Sequence, residues 1–391
     1  MSAVFIVGVM RTPVGAFNGA LAGVKATDLG ATALKAALAQ AGVPADKVDE
    51  VFVGNVMSAH LGQAPATQVA LAAGLPNTVP CTTVNKVCAS GTKAVMLGAN
   101  AIRLGDAHVV ACTGMENMSQ VPHYVLNYRS GFKFGNTELV DGIVIDGLQD
   151  VYSGMMMGQA GELCAEKYGI TREAQDAYAI RSYKLAQELV GSGKLKSYLS
   201  PVTVAGRKGD VVIDTDEEPG NVLWDKIPTL KPAFKKDGTI TAANASKLND
   251  GAAAVILASE QAVKELGLKP LARIVSYADA ALAPEWFTIA PNEAVRKALA
   301  NGGLTAGQID FFEINEAFSV VAMANQKLLD VAEDKVNPFG GAVAFGHPLG
   351  CSGARLVQSM VTGLKDRNQK YAAMGICNGG GGASALILEN V

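Results

Sequence analysis

The strongest constraint on the fold is an internal repeat. Residues 35–55, KAALAQAGVPADKVDEVFVGN, return in altered form at 296–316, RKALANGGLTAGQIDFFEINE, with Leu38 falling on Leu299, Gly42 on Gly303 and Asp49 on Asp310. Two further pairs follow in the same order. CASG at Cys88 has a looser counterpart in CSGA at Cys351, and VVACTG around Cys112 one in MGICNG around Cys377. Successive matches in one order point to two copies of a single α/β unit rather than to unrelated domains.

The hydropathy pattern agrees. VFIVGV, VDEVFVG and HVVACTG read as short buried strands, while TDLGATALKAALAQAG and KAVMLGANAIRLG between them have helical periodicity. Such alternation predicts an α/β fold with buried parallel strands. From about Met118 the pattern loosens into NMSQVPHYVLNYRSGFKFGN, a helical TREAQDAYAIRSYKLAQELV and a loop-rich DEEPGNVLWDK, and it resumes at DGAAAVILAS. The expected organisation is therefore a first half from 1–117 with 249–268, an inserted loop domain at 118–248 that carries specificity, and a second half at 269–391.

Composition limits the partners. A formal charge of −3 over 391 residues gives no general basic field for nucleic acid or an anionic membrane. Although 49% of residues are hydrophobic, no stretch reaches the length of a transmembrane helix without polar interruption. Six cysteines (Cys81, Cys88, Cys112, Cys164, Cys351, Cys377) in a chain this long, with no secretory pattern at MSAVFIVGVMRTP, suggest free thiols in a reducing compartment. The expectation is a cytoplasmic protein, or a mitochondrial one if a presequence precedes the chain.

Three segments look unlike ordinary core: VNKVCASG at 84–91, INEAFS at 314–319, and GHPLGCSGAR at 346–355 followed by CNGGGG at 377–382. Each alone is weak, since a free cysteine behaves as a small hydrophobe and a glycine run is most often a turn. Together they suggest chemistry. A thiol at a helix N-terminus gains thiolate character and an imidazole nearby can take its proton, while glycines bring backbone N–H groups close to a ligand.

From RTPVGAF near the start to GGGGASALIL near the end, the chain resembles the thiolases, and within them the acetoacetyl-CoA group. The resemblance implies a thiolase fold, with duplicated halves in a layered αβαβα core, and a reversible Claisen condensation of two acetyl-CoA to acetoacetyl-CoA and CoA. It implies Cys88 as the acylated nucleophile, His347 as its base and Cys377 as the base that takes a proton from the second acetyl group. Asn315 would hold a water in one oxyanion hole, and the N–H groups of Cys88 and Gly379 would form another. For coenzyme A it implies Tyr183, Asn221, Val222, Leu223 and Lys226 at the adenine end and Ser246 beside the pantetheine, with Met157, Phe318 and Phe287 around the acyl group. Asn221 stands where related enzymes often carry arginine, and Thr288 replaces a proline that follows Phe287 in enzymes accepting 2-methyl-branched substrates.

TAANASKLNDG at 241–251 further resembles the potassium-activated members. There Tyr183 Oη and the carbonyls of Ala242, Ala243, Ala245 and Val343 would hold the ion, with no redox cofactor implied. Carbonyls without a carboxylate suit a monovalent cation. A homotetramer built as a dimer of dimers is implied as well. A ketoacyl-synthase-like condensing enzyme or a 3-ketoacyl-CoA thiolase of broader chain length are the alternatives, and Cys377 in CNGGGG favours a thiolase.

Overall fold

The computed structural model describes residues 2–391. The first half runs β1 (Val4–Arg11), β2 (Gly15–Ala16), α1 (Ala26–Ala41), β3 (Glu50–Gly54), α2 (Pro65–Ala72), β4 (Cys81–Val84), α3 (Ser90–Leu104) and β5 (Val109–Asn117). After Asn117 the chain leaves the main sheet. It forms two small ribbons, β6 (His123–Tyr124) with β7 (Val140–Asp141) and later β8 (Val202–Val204) with β9 (Val211–Ile213). Between the ribbons lie α4 (Met157–Tyr168) and α5 (Arg172–Ser192). It rejoins the sheet at β10 (Asn249–Ser259) and continues through α6 (Glu260–Glu265), β11 (Ala272–Ala281), α7 (Ala290–Gly302), β12 (Phe311–Ile314), α8 (Ser319–Leu329), α9 (Ala342–Phe345), α10 (Leu349–Arg367), β13 (Tyr371–Asn378) and β14 (Gly382–Asn390).

The main sheet has ten strands in the order β12-β13-β14-β11-β1-β10-β5-β3-β4, with β2 pairing β10. The two halves meet at β1 and β11, through Phe5 opposite Arg273 and Ile6 opposite Ala272. Among the described residues, the parallel strand pairs of this sheet are β3–β4, β3–β5 and β12–β13. The expectation of a parallel sheet therefore holds at the outer strands alone. The inner strands are antiparallel because β13 turns straight back into β14 and because β10 arrives beside β5 only after the excursion. Hairpin-type returns give antiparallel pairs, whereas parallel pairs need a crossover.

Both faces of the sheet are covered, and the alternation within strands shows how. Val110 and Cys112 of β5 face one core with α3 and α10, while Val109 and Ala111 face another with α1 and α2. In the second half Ala372, Met374 and Ile376 join the α3/α10 core, and Ala373 faces the core under α7. Five layers result, with α3 and α10 in the middle. Continuous apolar runs in these strands follow from burial on both sides.

The repeat is reproduced atom for atom at its aspartates. Asp49 Oδ2 accepts from the N–H groups of His108 (2.7 Å) and Val109 (2.8 Å), where β5 begins. Asp310 Oδ2 accepts from those of Lys370 and Tyr371 (both 2.8 Å), where β13 begins. Small residues then let the two central helices touch by their backbones. A Cβ on Gly353 would lie 2.4 Å from Thr92 N, and one on Gly91 2.8 Å from Ala354 N. The N-terminal turns of α3 and α10, which begin within CASG and GHPLGCSG, are thereby pressed together.

Candidate active site

Cys88 precedes α3, in a tight segment where Val87 takes φ 47°. That strain is held by Asn85 Oδ1, which accepts from Val87 N at 2.9 Å, and by Ser90 Oγ, which accepts from Lys86 N at 2.8 Å. Lys86 is itself anchored across the two halves: its Nζ donates to Asp279 Oδ1 (2.8 Å) and Ser384 Oγ (2.8 Å), while Lys93 Nζ donates to Asp279 Oδ2 (2.7 Å). A carboxylate of the second half therefore fixes the cysteine loop of the first.

Cys377 lies at the end of β13 and is fully buried, in one apolar cluster with Phe318, Phe287 and, at its edge, Met157. The glycines after it make the turn, with Gly380 at φ 79° and Gly381 at φ 84°, a region that favours glycine. Gly379 is directed at the Cys88 loop: a Cβ there would lie 3.6 Å from Val87 Cγ1 and 3.7 Å from Met157 Sδ. The backbone N–H groups of Gly379 and of Cys88 itself lie where they favour the Cys88 thiolate.

His347 sits just before α10, buried, with its N–H donating to Asn249 Oδ1 at 2.9 Å. Its Nδ1 is 2.6 Å from Ser352 Oγ, whose own hydroxyl donates to Pro348 O at 2.9 Å. Ser352 has one proton, so full satisfaction places the imidazole proton on Nδ1 and leaves Nε2 as an acceptor. Asn315 Nδ2 approaches that Nε2 at 3.4 Å, and Asn315 Oδ1 is buried without a partner among the described residues. The lone acceptor is available to a water or a ligand.

Burial dominates the proton equilibria. The Cys88 thiol is pushed up to about 12 by burial, against the two backbone N–H groups that favour the thiolate. Cys377 is raised well above the ordinary thiol value by burial and then by Cys88 nearby. His347 is pulled down to about 3 by burial and then by the Arg355 charge. Burial therefore opposes the thiolate character that a helix N-terminus favours. Desolvation thus disfavours the charged form of all three groups, which favours neutral thiols and a neutral imidazole before substrate binds.

A cavity of about 450 Å3 opens beside these groups, lined by Met157, Phe318, His347, Ser246, Lys247 and Leu349 among others. Ser246 is fixed at its wall, its N and Oγ both donating to Ala317 O (3.0 and 2.9 Å). Phe287 is buried behind Phe318 and does not line the cavity. Asn221, Leu223 and Lys226 are exposed on the short helical turns around 218–229, outside that cavity, with Val222 half-buried between them. Tyr183 differs from expectation: it is buried, with its ring edge-on to Trp224 at 6.2 Å, so it presents no free face to an adenine.

The potassium set does not fit. Lys247 Nζ donates to Tyr183 Oη and, at 2.8 Å, to Val343 O, so two of the five expected oxygens already serve an ammonium.

Two buried carboxylates organise the site, Glu116 outside the segments singled out in the sequence and Glu316 inside INEAFS. Glu116, fully buried, accepts from Gly350 N (2.9 Å), Val56 N (3.1 Å), Met57 N (3.2 Å) and Asn55 Nδ2 (2.7 Å), which ties the start of α10 to the end of β3. Glu316 accepts from Tyr178 Oη, Asn337 Nδ2, Ser182 Oγ and Val343 N, joining α5 to the approach to His347. A carboxylate near the end of an apolar strand, as in VVACTGMEN, is the one clue to Glu116.

Two family models cover nearly the whole chain: "Thiolase, N-terminal domain" matches residues 4–261 and "Thiolase, C-terminal domain" residues 268–390. Acetyl-CoA acetyltransferase 2 of Arabidopsis thaliana is 54% identical over 389 residues, covering 99% of this chain and 96% of that protein. Acetyl-CoA acetyltransferase ERG10, cytosolic, of Gibberella zeae is 52% identical over 390 residues, covering 99% and 98%. Among solved structures, Acat5 thiolase of Ascaris suum in complex with coenzyme A superposes with a TM-score of 0.95 at 43% identity, covering 100% of both chains. Human mitochondrial 3-ketoacyl-CoA thiolase superposes with a TM-score of 0.97 at 39% identity, covering 100% of this chain and 99% of that one.

Proposed function

From the premise that this chain belongs to the thiolase family and is an acyltransferase acting on acetyl-CoA, we propose a division of labour among its buried polar groups. Cys88 Sγ attacks the thioester carbonyl of acetyl-CoA as His347 Nε2 takes its proton. The C–S bond to coenzyme A breaks, and the leaving thiolate takes the proton of Cys377. Acetyl-Cys88, an imidazolium and a Cys377 thiolate remain. Cys377 then removes a methyl proton from a second acetyl-CoA, and the enolate carbon attacks the acetyl carbonyl on Cys88. The bond to Cys88 breaks, His347 returns the proton to its sulfur, and acetoacetyl-CoA leaves. The reverse sequence is thiolysis.

Neutral resting groups suit this scheme, because each charge appears only when a proton is passed between partners, with no isolated ion buried beforehand. The N–H groups of Cys88 and Gly379 serve the acetyl oxygen, and His347 with a water on Asn315 Oδ1 serves the enolate oxygen. The observation that carries the reading is the direction of Nε2: Ser352 holds the Nδ1 proton, so the free nitrogen faces Asn315 and the cavity. Met157 and Phe318 narrow the acyl end, which favours acetyl over long chains.

Coenzyme A is expected to run past Ser246 toward the exposed turns bearing Asn221, Leu223 and Lys226, with Lys226 supplying a cation for phosphate. The relative from Gibberella zeae supports a cytoplasmic location. Exposed apolar side chains on the excursion, among them Tyr128, Phe134, Leu139 and Tyr152, support assembly into a tetramer through that segment.

Cys377→Ala tests the roles. Given acetyl-CoA, the variant is expected to accumulate acetyl-Cys88, seen as a persistent mass increment, and to make no acetoacetyl-CoA. Near-normal condensation by the variant would remove Cys377 from the mechanism.

A further inference from the structure

We propose that the ammonium of Lys247 stands in for a monovalent cation in this chain, a tethered charge that holds the cavity wall to the histidine segment and makes activity independent of potassium. The inference deepens the acyl-transfer reading above and rests on it.

Three separate pieces of chain meet at Lys247 Nζ. Lys247 follows Ser246, which is pinned to Ala317 O at the cavity wall. Tyr183 comes from α5, and its Oη accepts from Nζ while its ring lies 4.6 Å from the same nitrogen. Val343 comes from α9, four residues before His347, and its carbonyl accepts from Nζ at 2.8 Å. The carboxylates facing the ammonium are Glu218 and Glu316. Glu316 in turn accepts from Val343 N (3.0 Å) and Ser182 Oγ (2.7 Å), so the charge, the α5 segment and the His347 approach form one network.

Ammonium and potassium ions are of nearly equal size, and both are satisfied by neutral oxygens. Val343 O and Tyr183 Oη are the two oxygens that would let an ion bridge the 242–245 segment to the rest of the protein. With Nζ bonded to both, a free cation at the same oxygens would touch a like charge in a partly dehydrated place, where repulsion is strong. Tethering has a further consequence. A free ion orders its site only in proportion to its concentration, whereas a side chain is always present. Lys247 is therefore a positioning residue: it touches neither thiol and acts through Ser246 and the His347 segment.

The test compares wild type, Lys247→Ala, which opens room for an ion, and Lys247→Met, which fills the space without charge. Condensation kinetics and melting temperature are measured in potassium, sodium and choline chloride at matched ionic strength, with methylammonium chloride as an added arm. Wild type should show the same KM for acetyl-CoA and the same melting temperature in all salts. In sodium, Lys247→Ala should raise KM by roughly tenfold to a hundredfold, the usual effect of a small displacement of positioned groups. Potassium or methylammonium should restore much of that loss in Lys247→Ala and none in Lys247→Met. Activation of wild type by potassium over sodium would overturn the proposal, a result that needs no variant to fold. Wild-type KM in Lys247→Ala, or a loss in it that no cation relieves, would overturn it too. Intact mass of wild type after acetyl-CoA separates the two readings: absent acetyl-Cys88 refutes the acyl-transfer scheme, whereas normal acetylation with potassium activation refutes the role of Lys247 alone.

Discussion

The reactive groups show how far burial can outweigh local motif. Cys88 stands next to a helix N-terminus, yet burial raises its thiol to about 12, and burial likewise pulls His347 down to about 3. Alkylation of Cys88 by iodoacetamide should therefore climb roughly tenfold per pH unit from about pH 6 to about pH 9, because only the thiolate reacts. A rate that is flat across that range would reveal a thiolate–imidazolium pair and contradict the neutral resting state. Asp279 shows the opposite balance. Burial raises its carboxyl, but hydrogen bonds from Lys86, Lys93 and Ser384 and the Lys86 charge outweigh this and hold it at about 2, below its ordinary 3.8. A depressed carboxyl stabilises the fold in full above its unfolded pKa and loses that contribution as pH falls toward the folded one. Melting temperature measured from about pH 5 down to about pH 2 should fall less steeply in Asp279→Asn than in wild type, since the variant has no such proton to take up. Parallel curves would mean that the Lys86 anchor contributes nothing to acid sensitivity.

Among the elements, α3 and α10 form the joint on which the loops bearing Cys88 and His347 depend. Their N-terminal turns meet at Gly91 and Gly353, and Glu116 pins Gly350 at the start of α10. Gly353→Ala would put a methyl 2.4 Å from Thr92 N, against backbone that cannot rotate away. It should cost about 1–3 kcal/mol in chemical denaturation, the range for overpacked cores, and reduce condensation by displacing Cys88 relative to His347. Unchanged stability with unchanged rate would show that the two helices have slack at this crossing. These glycines stand in CASG and CSGA, so the repeat that reads as a pair of cysteine motifs is also the place where the two halves interlock.

For the whole molecule the prediction concerns assembly. Phe134 is fully exposed, and Val151 and Tyr152 are 84% and 80% exposed, all within the excursion between β5 and β10. Large apolar side chains concentrated in this way mark an interaction surface. Light scattering at micromolar concentration should give four chains, and Phe134→Asp should lower that number without abolishing acetylation of Cys88. A wild-type monomer would refute the assembly.

The duplicated unit, the excursion after Asn117 and the four segments bearing Cys88, Asn315, His347 and Cys377 could be read from the sequence. Local periodicity and glycine placement are near-neighbour properties, and near neighbours on the chain retain them in the fold. Strand direction was read wrongly at the centre of the sheet, since hydropathy reports burial on both faces and is blind to which strand lies alongside. Tertiary structure alone decided the proton states, because desolvation of Cys88, Cys377 and His347 depends on layers contributed by both halves. It likewise decided that Lys247 lies where an ion was expected: its Nζ reaches Tyr183 and Val343, 64 positions before it and 96 after, and no local pattern records a meeting over such separations.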